Sequence, residues 1–219
     1  AAPCPVPVKK AMIDWLGPVV YEYYAGSENV GFCAVDSAEW LAHPGTVGRP
    51  MFGAIHILDD NYNELAAGAV DVIYFGGTPR FEYHNDSDKS RSAYSPQGYA
   101  TLGDYGYVDQ DGYLFIADRR TDLILSGGVN IYPREVEEAL MLHPAVLDVG
   151  VVGVPSEEFG QSVLAAIELK NPEAASAALA AELTAHCREQ IAHYKCPRHI
   201  EFTPLPRTPT GKLLRRQLK

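Results

Sequence analysis

The sequence predicts an α+β protein, and three observations support this fold class. In the first half of the chain, short apolar runs are separated by turn residues such as DDNYNE (59–64), as in antiparallel sheets. After about residue 119, strand patterns alternate with helix patterns. The composition, 47% hydrophobic and 21% charged, is that of a globular protein with a sizeable core. We therefore expect a β-rich region, 1–118, followed by a compact α+β domain, 119–219.

The first region should form a small antiparallel barrel or sheet. A short helix is expected from about Pro3 to Trp15, and the run PVVYEYYAG (18–26) has strand character before a glycine turn. Strand-like runs continue over 45–75. In GYVDQDGYLFIA (106–117), Asp-Gly lies between two alternating runs, which is a strong signal for a β-hairpin.

The second region should contain two helices and three strands. Pro133 at a first helical position, acids in the early turns and Pro144 at the end predict the first helix. The second and longest helix should cover 176–195, with apolar residues at steps of four. The predicted strands are AVLDVGVVGV (145–154), SVLAAIEL (162–169) and RHIEFT (198–203).

The charge and the cysteines restrict the function classes. A net charge of −10 argues against general nucleic-acid binding. From Lys195 to Lys219, however, the sequence contains seven Lys/Arg and one acidic residue. This local positive charge suits either binding of a phosphate-rich small molecule or a solvated tail. No apolar run reaches the roughly 20 residues of a membrane helix, and no signal peptide is visible. Four cysteines lack C-x-x-C or zinc spacing, so we expect reduced thiols in a cytoplasmic protein.

Two stretches in the first region combine residue types that suit nucleotide binding. In YYAGSENVG (23–31), Ser27 and Glu28 on a glycine turn could hold Mg²⁺ that bridges phosphates, and Tyr24 could stack on a base. In YATLGDYGY (99–107), Asp104 could accept hydrogen bonds from the hydroxyls of a ribose. Each stretch, taken alone, could also be an ordinary surface turn.

Two further stretches lie in the second region. Ser126-Gly127-Gly128 would allow a phosphate to approach the backbone closely, although the Walker A pattern is absent and an ordinary glycine turn is the alternative. In RTPTGKLLRR (207–216), proline and glycine surround Lys212. This lysine could deliver a positive charge to a developing negative one, or it could be an exposed loop residue.

Together and in this order, the four stretches resemble the adenylate-forming enzymes, which include acyl-CoA synthetases, luciferases and the adenylation domains of peptide synthetases. The resemblance covers nearly the whole chain, and DLILSGGVNIYPREVEEAL and PRTPTGKLLRRQL look especially like acyl-CoA synthetases. It implies that a carboxylic acid reacts with ATP and Mg²⁺ to give an acyl-AMP. The acyl group then passes to the thiol of coenzyme A.

The resemblance also implies roles for residues of the first region. Glu28 would bind Mg²⁺, and Ser27, where the family more commonly has threonine, would contact phosphate. Tyr24 would lie against adenine. Asp104 would hold the ribose hydroxyls, and Arg119 would also reach the ribose.

In the second region, the resemblance implies that Lys212 stabilises the adenylation step. Thr121 would occupy the hinge position at which the family usually has Asp or Lys. Four residues would form the loop that faces the active site and the pantetheine channel in the thioester-forming pose: Ser126, Gly127, Gly128 and Asn130.

We therefore expect the C-terminal piece of an AMP-forming acid–CoA ligase that acts on a fatty or aromatic acid. The expected location is the cytoplasm, and the prediction allows a homo-oligomer. The family's Ser/Thr/Gly-rich phosphate loop does not occur in this sequence, so the piece alone should be inactive or nearly so. Two alternatives stay open. One is the adenylation domain of a peptide synthetase, and the other is a non-catalytic module that binds a nucleotide or an acyl group.

Overall fold

The structure, a computed structural model, describes residues 4–119, 121–209 and 211–218. It contains sheets and helices in both halves, which confirms the α+β class. The chain changes from one compact unit to another between Thr121 and Asp122. That these units correspond to an enzyme's large lobe, 1–118, and its mobile domain, 119–219, stays a prediction.

The first unit, Pro5–Thr121, contains seven strands and three helices among its described residues. The strands form two antiparallel sheets, in the orders β1-β2-β3 and β4-β5-β6-β7. The elements are α1 (Val6–Leu16), β1 (Glu22–Ala25), β2 (Phe32–Val35), α2 (Ser37–Ala42), β3 (Arg49–Phe52), β4 (Ala54–Leu58), β5 (Asp71–Gly76), α3 (Ser87–Ser92), β6 (Asp104–Val108) and β7 (Leu114–Arg119).

Two sheets thus replace the single small barrel or sheet expected from the sequence. The chain passes from one sheet to the other at Gly53, whose φ of +79° lies in the left-handed region that favours glycine. The predicted hairpin of β6 and β7 is confirmed. Buried apolar residues of both sheets form one core, which includes Cys33, Ile73, Phe75 and Leu114.

The second unit contains five strands and two α-helices among its described residues. Strands β10, β11, β8 and β9 are neighbours in that order and antiparallel, and β12 pairs with β11 in parallel. The elements are β8 (Ile124–Ser126), β9 (Val129–Ile131), α4 (Pro133–Met141), β10 (Val146–Ser156), β11 (Gly160–Leu169), α5 (Ala177–Gln190) and β12 (His199–Phe202).

Both helices of this unit bury the apolar faces that their sequences predict. Leu140 of α4 and Leu183 of α5 are fully buried, and they share a core with Val151 and Ile167 of the sheet. Helix α5 is shorter than predicted, because it ends at Gln190 rather than at residue 195. Within the part of the chain that the structure describes, no helix is long and apolar enough to cross a membrane.

Candidate nucleotide-binding and catalytic residues

The fold brings three predicted ribose- and base-contacting residues of the first unit together. Tyr24 lies on β1, Asp104 begins β6, and Arg119 ends β7 directly opposite Asp104 in the strand register. The Tyr24 hydroxyl donates a 2.5 Å hydrogen bond to Asp104 Oδ2, and Arg119 Nε lies 3.5 Å from Asp104 Oδ1. Asp104 is only 6% exposed, so its carboxylate is a buried acceptor with a cation and a hydroxyl against it.

Tyr24 remains a hydrogen-bond donor over the whole working pH range. Burial raises the pKa of its hydroxyl far above the ordinary value, and the negative charge of Asp104 and their hydrogen bond raise it further. The ring of Tyr24 stacks against Phe75, with the ring centroids 6.2 Å apart. The hydroxyl is therefore committed to Asp104, while the role of the ring toward adenine stays a prediction.

The predicted metal ligand Glu28 lies on the glycine turn after β1. Its two carboxylate oxygens accept hydrogen bonds from two hydroxyls, Ser27 Oγ at 3.2 Å and Tyr83 Oη at 3.0 Å. The Nζ of Lys89 lies 3.8 Å from the centre of the Tyr83 ring. A Cβ at Gly26 would lie 2.8 Å from Glu28 Oε2, so a larger residue there would displace the carboxylate.

The electrostatics keep Glu28 ionised. Partial burial raises the pKa of its carboxyl, but hydrogen bonds from its own backbone N–H, Tyr83 and Ser27, together with the charge of Lys89, lower it below the ordinary value. An anionic carboxylate beside a hydroxyl is an oxygen donor set that suits Mg²⁺. Glu28 and Ser27 therefore fit the Mg²⁺ ion that the sequence implies.

Tyr83 is a residue of this site that no local sequence pattern marks. It lies 55 residues from Glu28 in the chain, in a polar stretch before α3, and no spacing rule connects the two. The loop that carries Tyr83 is held by the bond from the Tyr83 N–H to Ser90 Oγ of α3, and the fold brings the tyrosine hydroxyl to the Glu28 carboxylate. Its contact makes it a part of the candidate metal site.

The Ser126-Gly127-Gly128 stretch is the tight turn between β8 and β9. Gly127 and Gly128 have φ of +59° and +81°, which fits a two-residue hairpin turn, and Asn130 is exposed on β9 opposite Leu125. The Gly127 N–H donates to the carbonyl of Phe159. The geometry matches the glycine-turn alternative, and the position of this loop toward a pantetheine channel stays a prediction.

Lys212 lies on a turn in which described residues are hydrogen-bonded to one another. Arg207 and Leu213 form a β-bridge across the turn. The N–H of Thr208 donates to the Lys212 carbonyl at 2.9 Å, and the N–H of Lys212 donates to Thr208 Oγ1 at 3.0 Å. Lys212 is exposed, as a residue that meets a ligand must be. Thr121, the predicted hinge, is exposed at the junction between the two units.

Known proteins similar to this chain are AMP-binding enzymes and CoA ligases. Residues 135–212 match the AMP-binding enzyme C-terminal domain. A 2-succinylbenzoate–CoA ligase of Geobacillus kaustophilus (strain HTA426) is 40% identical over 220 residues, which cover 99% of this chain and 44% of that protein.

Solved structures extend the similarity to the fold. An o-succinylbenzoate coenzyme A synthetase of Bacillus subtilis, in complex with the acyl-adenylate intermediate OSB-AMP, has a TM-score of 0.86 and 33% identity, over 100% of this chain and 44% of that one. The synthetase in complex with ATP and magnesium ion has a TM-score of 0.84 and 32% identity, over 100% and 45%. The chain thus spans less than half the length of these relatives. Residues 135–212 thus match the AMP-binding enzyme C-terminal domain, and nearly the whole chain is similar to part of these CoA ligases.

Proposed function

We propose that this chain is the nucleotide-binding and mobile C-terminal part of an AMP-forming acid–CoA ligase. The observation that carries the proposal is the contact among Tyr24, Asp104 and Arg119, in a chain similar throughout its length to 2-succinylbenzoate–CoA ligases. Neither the non-catalytic module nor the peptide-synthetase domain accounts as well for relatives that are named as CoA ligases.

The residues of the first unit would bind the nucleotide. Asp104 would accept hydrogen bonds from the ribose hydroxyls, and Arg119, beside it, would donate a hydrogen bond to the ribose. Glu28 would hold Mg²⁺ with Ser27 close to the phosphates. When bound, the ion would offset the negative charge of the triphosphate.

Lys212 would act in the first half-reaction. A carboxylate oxygen of the acid forms a bond to the α-phosphorus of ATP, the bond from that phosphorus to the leaving oxygen breaks, and pyrophosphate departs with the electron pair. Two anions approach in this step, and the ammonium of Lys212 would stabilise the charge that develops. In the second half-reaction, the thiolate of coenzyme A attacks the acyl carbonyl and AMP leaves. A rotation at Thr121 would remove Lys212 and admit the thiol.

The names of the relatives favour an aromatic carboxylic acid over a fatty acid. The same names support coenzyme A as the acceptor. A cytoplasmic location and a homo-oligomer remain predictions.

The test is pyrophosphate release by the protein at its full natural length, with aromatic acids, fatty acids and amino acids. We expect release with an aromatic acid, acyl-CoA formation when coenzyme A is added, and a loss of about 100-fold or more in the adenylation rate for Lys212→Ala. Equal rates for wild type and Lys212→Ala would refute the role of Lys212. Release with amino acids alone would favour the peptide-synthetase alternative, and AMP binding without release for any acid would favour the binding module.

A further inference from the structure

The turn that carries Lys212 is fastened to strand β10 on its C-terminal side. Arg215 Nη1 donates to the Val151 carbonyl at 2.8 Å, and its Nη2 donates to Glu137 Oε2 of α4 at 2.9 Å. Glu137 Oε1 in turn accepts from the Val151 N–H at 2.8 Å. A Cβ at Gly150 would lie 2.9 Å from the Leu213 side chain, so Leu213 packs directly on this strand. The chain after Lys212 therefore has both ionic and apolar contacts.

On the N-terminal side of the turn, the guanidinium of Arg207 makes the contact with β10. Arg207 Nη2 pairs with the Asp148 carboxylate of β10, and Arg207 Nη1 donates to the Gly211 carbonyl at 2.5 Å. That carbonyl belongs to the peptide bond whose nitrogen is the Lys212 amide. Gly211 has a φ of +84°, and no atom lies within 4 Å of the position that a Cβ would occupy. Side-chain packing does not restrain this peptide from the Gly211 side.

Backbone hydrogen bonds also link residues within the turn. The Gly211 N–H donates to the Thr208 carbonyl at 2.8 Å, and two further bonds join Thr208 and Lys212. On this side, Arg207 links the Lys212 peptide to β10 through the Gly211 carbonyl and Asp148. Rotation of that peptide would swing the long Lys212 side chain.

We propose that Arg207 is a positioning residue for Lys212: by bridging Asp148 and the Gly211 carbonyl, it fixes the direction in which the lysine ammonium points. This inference rests on the proposed function, in which that ammonium must meet a developing charge. Small misplacements of a charged group can lower a rate strongly. The Arg207 side chain is 36% exposed, and ion pairs this exposed contribute little to global stability. Its loss should therefore affect Lys212 more than the fold.

Enzymology tests the inference through the two half-reactions, measured separately on the protein at its full natural length. Arg207→Ala should lower the kcat of adenylation by about tenfold or more, with little change in the KM of the acid. The conversion of preformed acyl-AMP to acyl-CoA should stay within about twofold, because Lys212 does not act there. Arg207→Lys should restore part of the rate. Arg216→Ala, the matched control at an exposed arginine of the same segment, should behave as wild type.

A double variant separates positioning from a direct role. If Arg207 acts through Lys212, Arg207→Ala should add no further loss to Lys212→Ala. A full additional loss would overturn the inference, because Arg207 would then contact the substrate itself. Equal losses in both half-reactions would also overturn it, since they would indicate general damage to the fold.

Amide hydrogen exchange on the 219-residue chain gives a second readout that needs no activity. Exchange at Gly211 and Lys212 should be faster in Arg207→Ala than in wild type, and unchanged in Arg216→Ala. Unchanged exchange in Arg207→Ala would overturn the inference even in an active enzyme. If the wild type formed no acyl-AMP, the proposed function would fail, and the exchange rates would still decide whether Arg207 holds Lys212.

Discussion

Tyr24 donates a 2.5 Å hydrogen bond to Asp104, although 80 residues separate them in the chain. The bond joins the strand that precedes the candidate metal site to the carboxylate proposed to hold the ribose. It gives the tyrosine hydroxyl a role that its predicted contact with adenine does not explain. Asp104 is therefore oriented from two sides, by Tyr24 and by Arg119.

Tyr24→Phe should weaken AMP binding while keeping the ring. A hydrogen bond to a charged group contributes about 1.5 to 3 kcal/mol, so we expect a loss of about tenfold or more in affinity, measured by calorimetry. The matched ligand control is the nucleotide that lacks both ribose hydroxyls. The loss should be much smaller for that ligand, and equal losses for both nucleotides would contradict a role through Asp104.

Tyr83→Phe should weaken Mg²⁺ binding at Glu28. The variant removes one of the two hydroxyls that orient the carboxylate, so the Mg²⁺ concentration needed for half-maximal ATP binding should rise several-fold. AMP binding without the ion should not change. Tyr21→Phe, at a tyrosine that is 74% exposed, is the control and should leave both measurements unaltered. If Tyr83→Phe left the Mg²⁺ dependence of ATP binding unchanged, Tyr83 would not be part of the metal site.

The four cysteines should react with iodoacetamide in an order set by burial. Burial raises the pKa of Cys33 and of Cys187 from the ordinary 9.0 to about 12, so both remain protonated thiols at pH 8. Cys4, which is partly exposed, should be labelled first when modified sites are followed by mass spectrometry. Rapid labelling of Cys187 at pH 8 in the folded chain would contradict its burial.

The same raised pKa values predict how stability depends on pH at the alkaline end. The unfolded chain releases these thiol protons near pH 9, whereas the folded chain holds them until about pH 12. The stabilisation from the protonated thiols is therefore complete below pH 9 and is lost as the pH rises toward 12. In urea titrations between pH 9 and 11, Cys33→Ala should show a smaller decline in unfolding free energy than wild type. A decline equal to that of wild type would contradict the prediction.

Leu140→Ala should destabilise the second unit by about 2–5 kcal/mol, because it leaves a cavity beneath α4 where the side chain is fully buried. Urea unfolding followed by circular dichroism measures the change. Leu142→Ala, two residues along at a side chain that is 48% exposed, should cost much less. Similar losses for the two variants would show that burial does not decide the effect.

Several elements followed from local sequence signals. Pro133 and the acids after it mark the start of α4, and the Asp-Gly pair marks the hairpin of β6 and β7. Helix α2 was missed although it had such a signal. Asp36 accepts a hydrogen bond from the Glu39 N–H, a capping arrangement that the sequence DSAE shows in advance.

The end of α5 shows why some boundaries could not be predicted. The apolar spacing continues past Gln190, but Ile191 adopts an extended conformation and the next residues form a 3₁₀ turn. Within that turn, Lys195 pairs with Glu135 of α4 at 2.6 Å. The turn is thus tied to another helix by a contact 60 residues away, which periodicity does not contain.

The sequence by itself determined the α+β class, the order of the motifs and the residue types needed for adenylation chemistry, because helix starts, hairpin turns and short motifs depend on neighbours in the chain. Only the tertiary structure decided which hydroxyl orients which carboxylate. Tyr83 on Glu28, Tyr24 on Asp104 and Arg207 on Asp148 are contacts between residues at least 55 positions apart in the chain. Such contacts are fixed by how the strands, helices and loops pack, so they form only when the chain is folded.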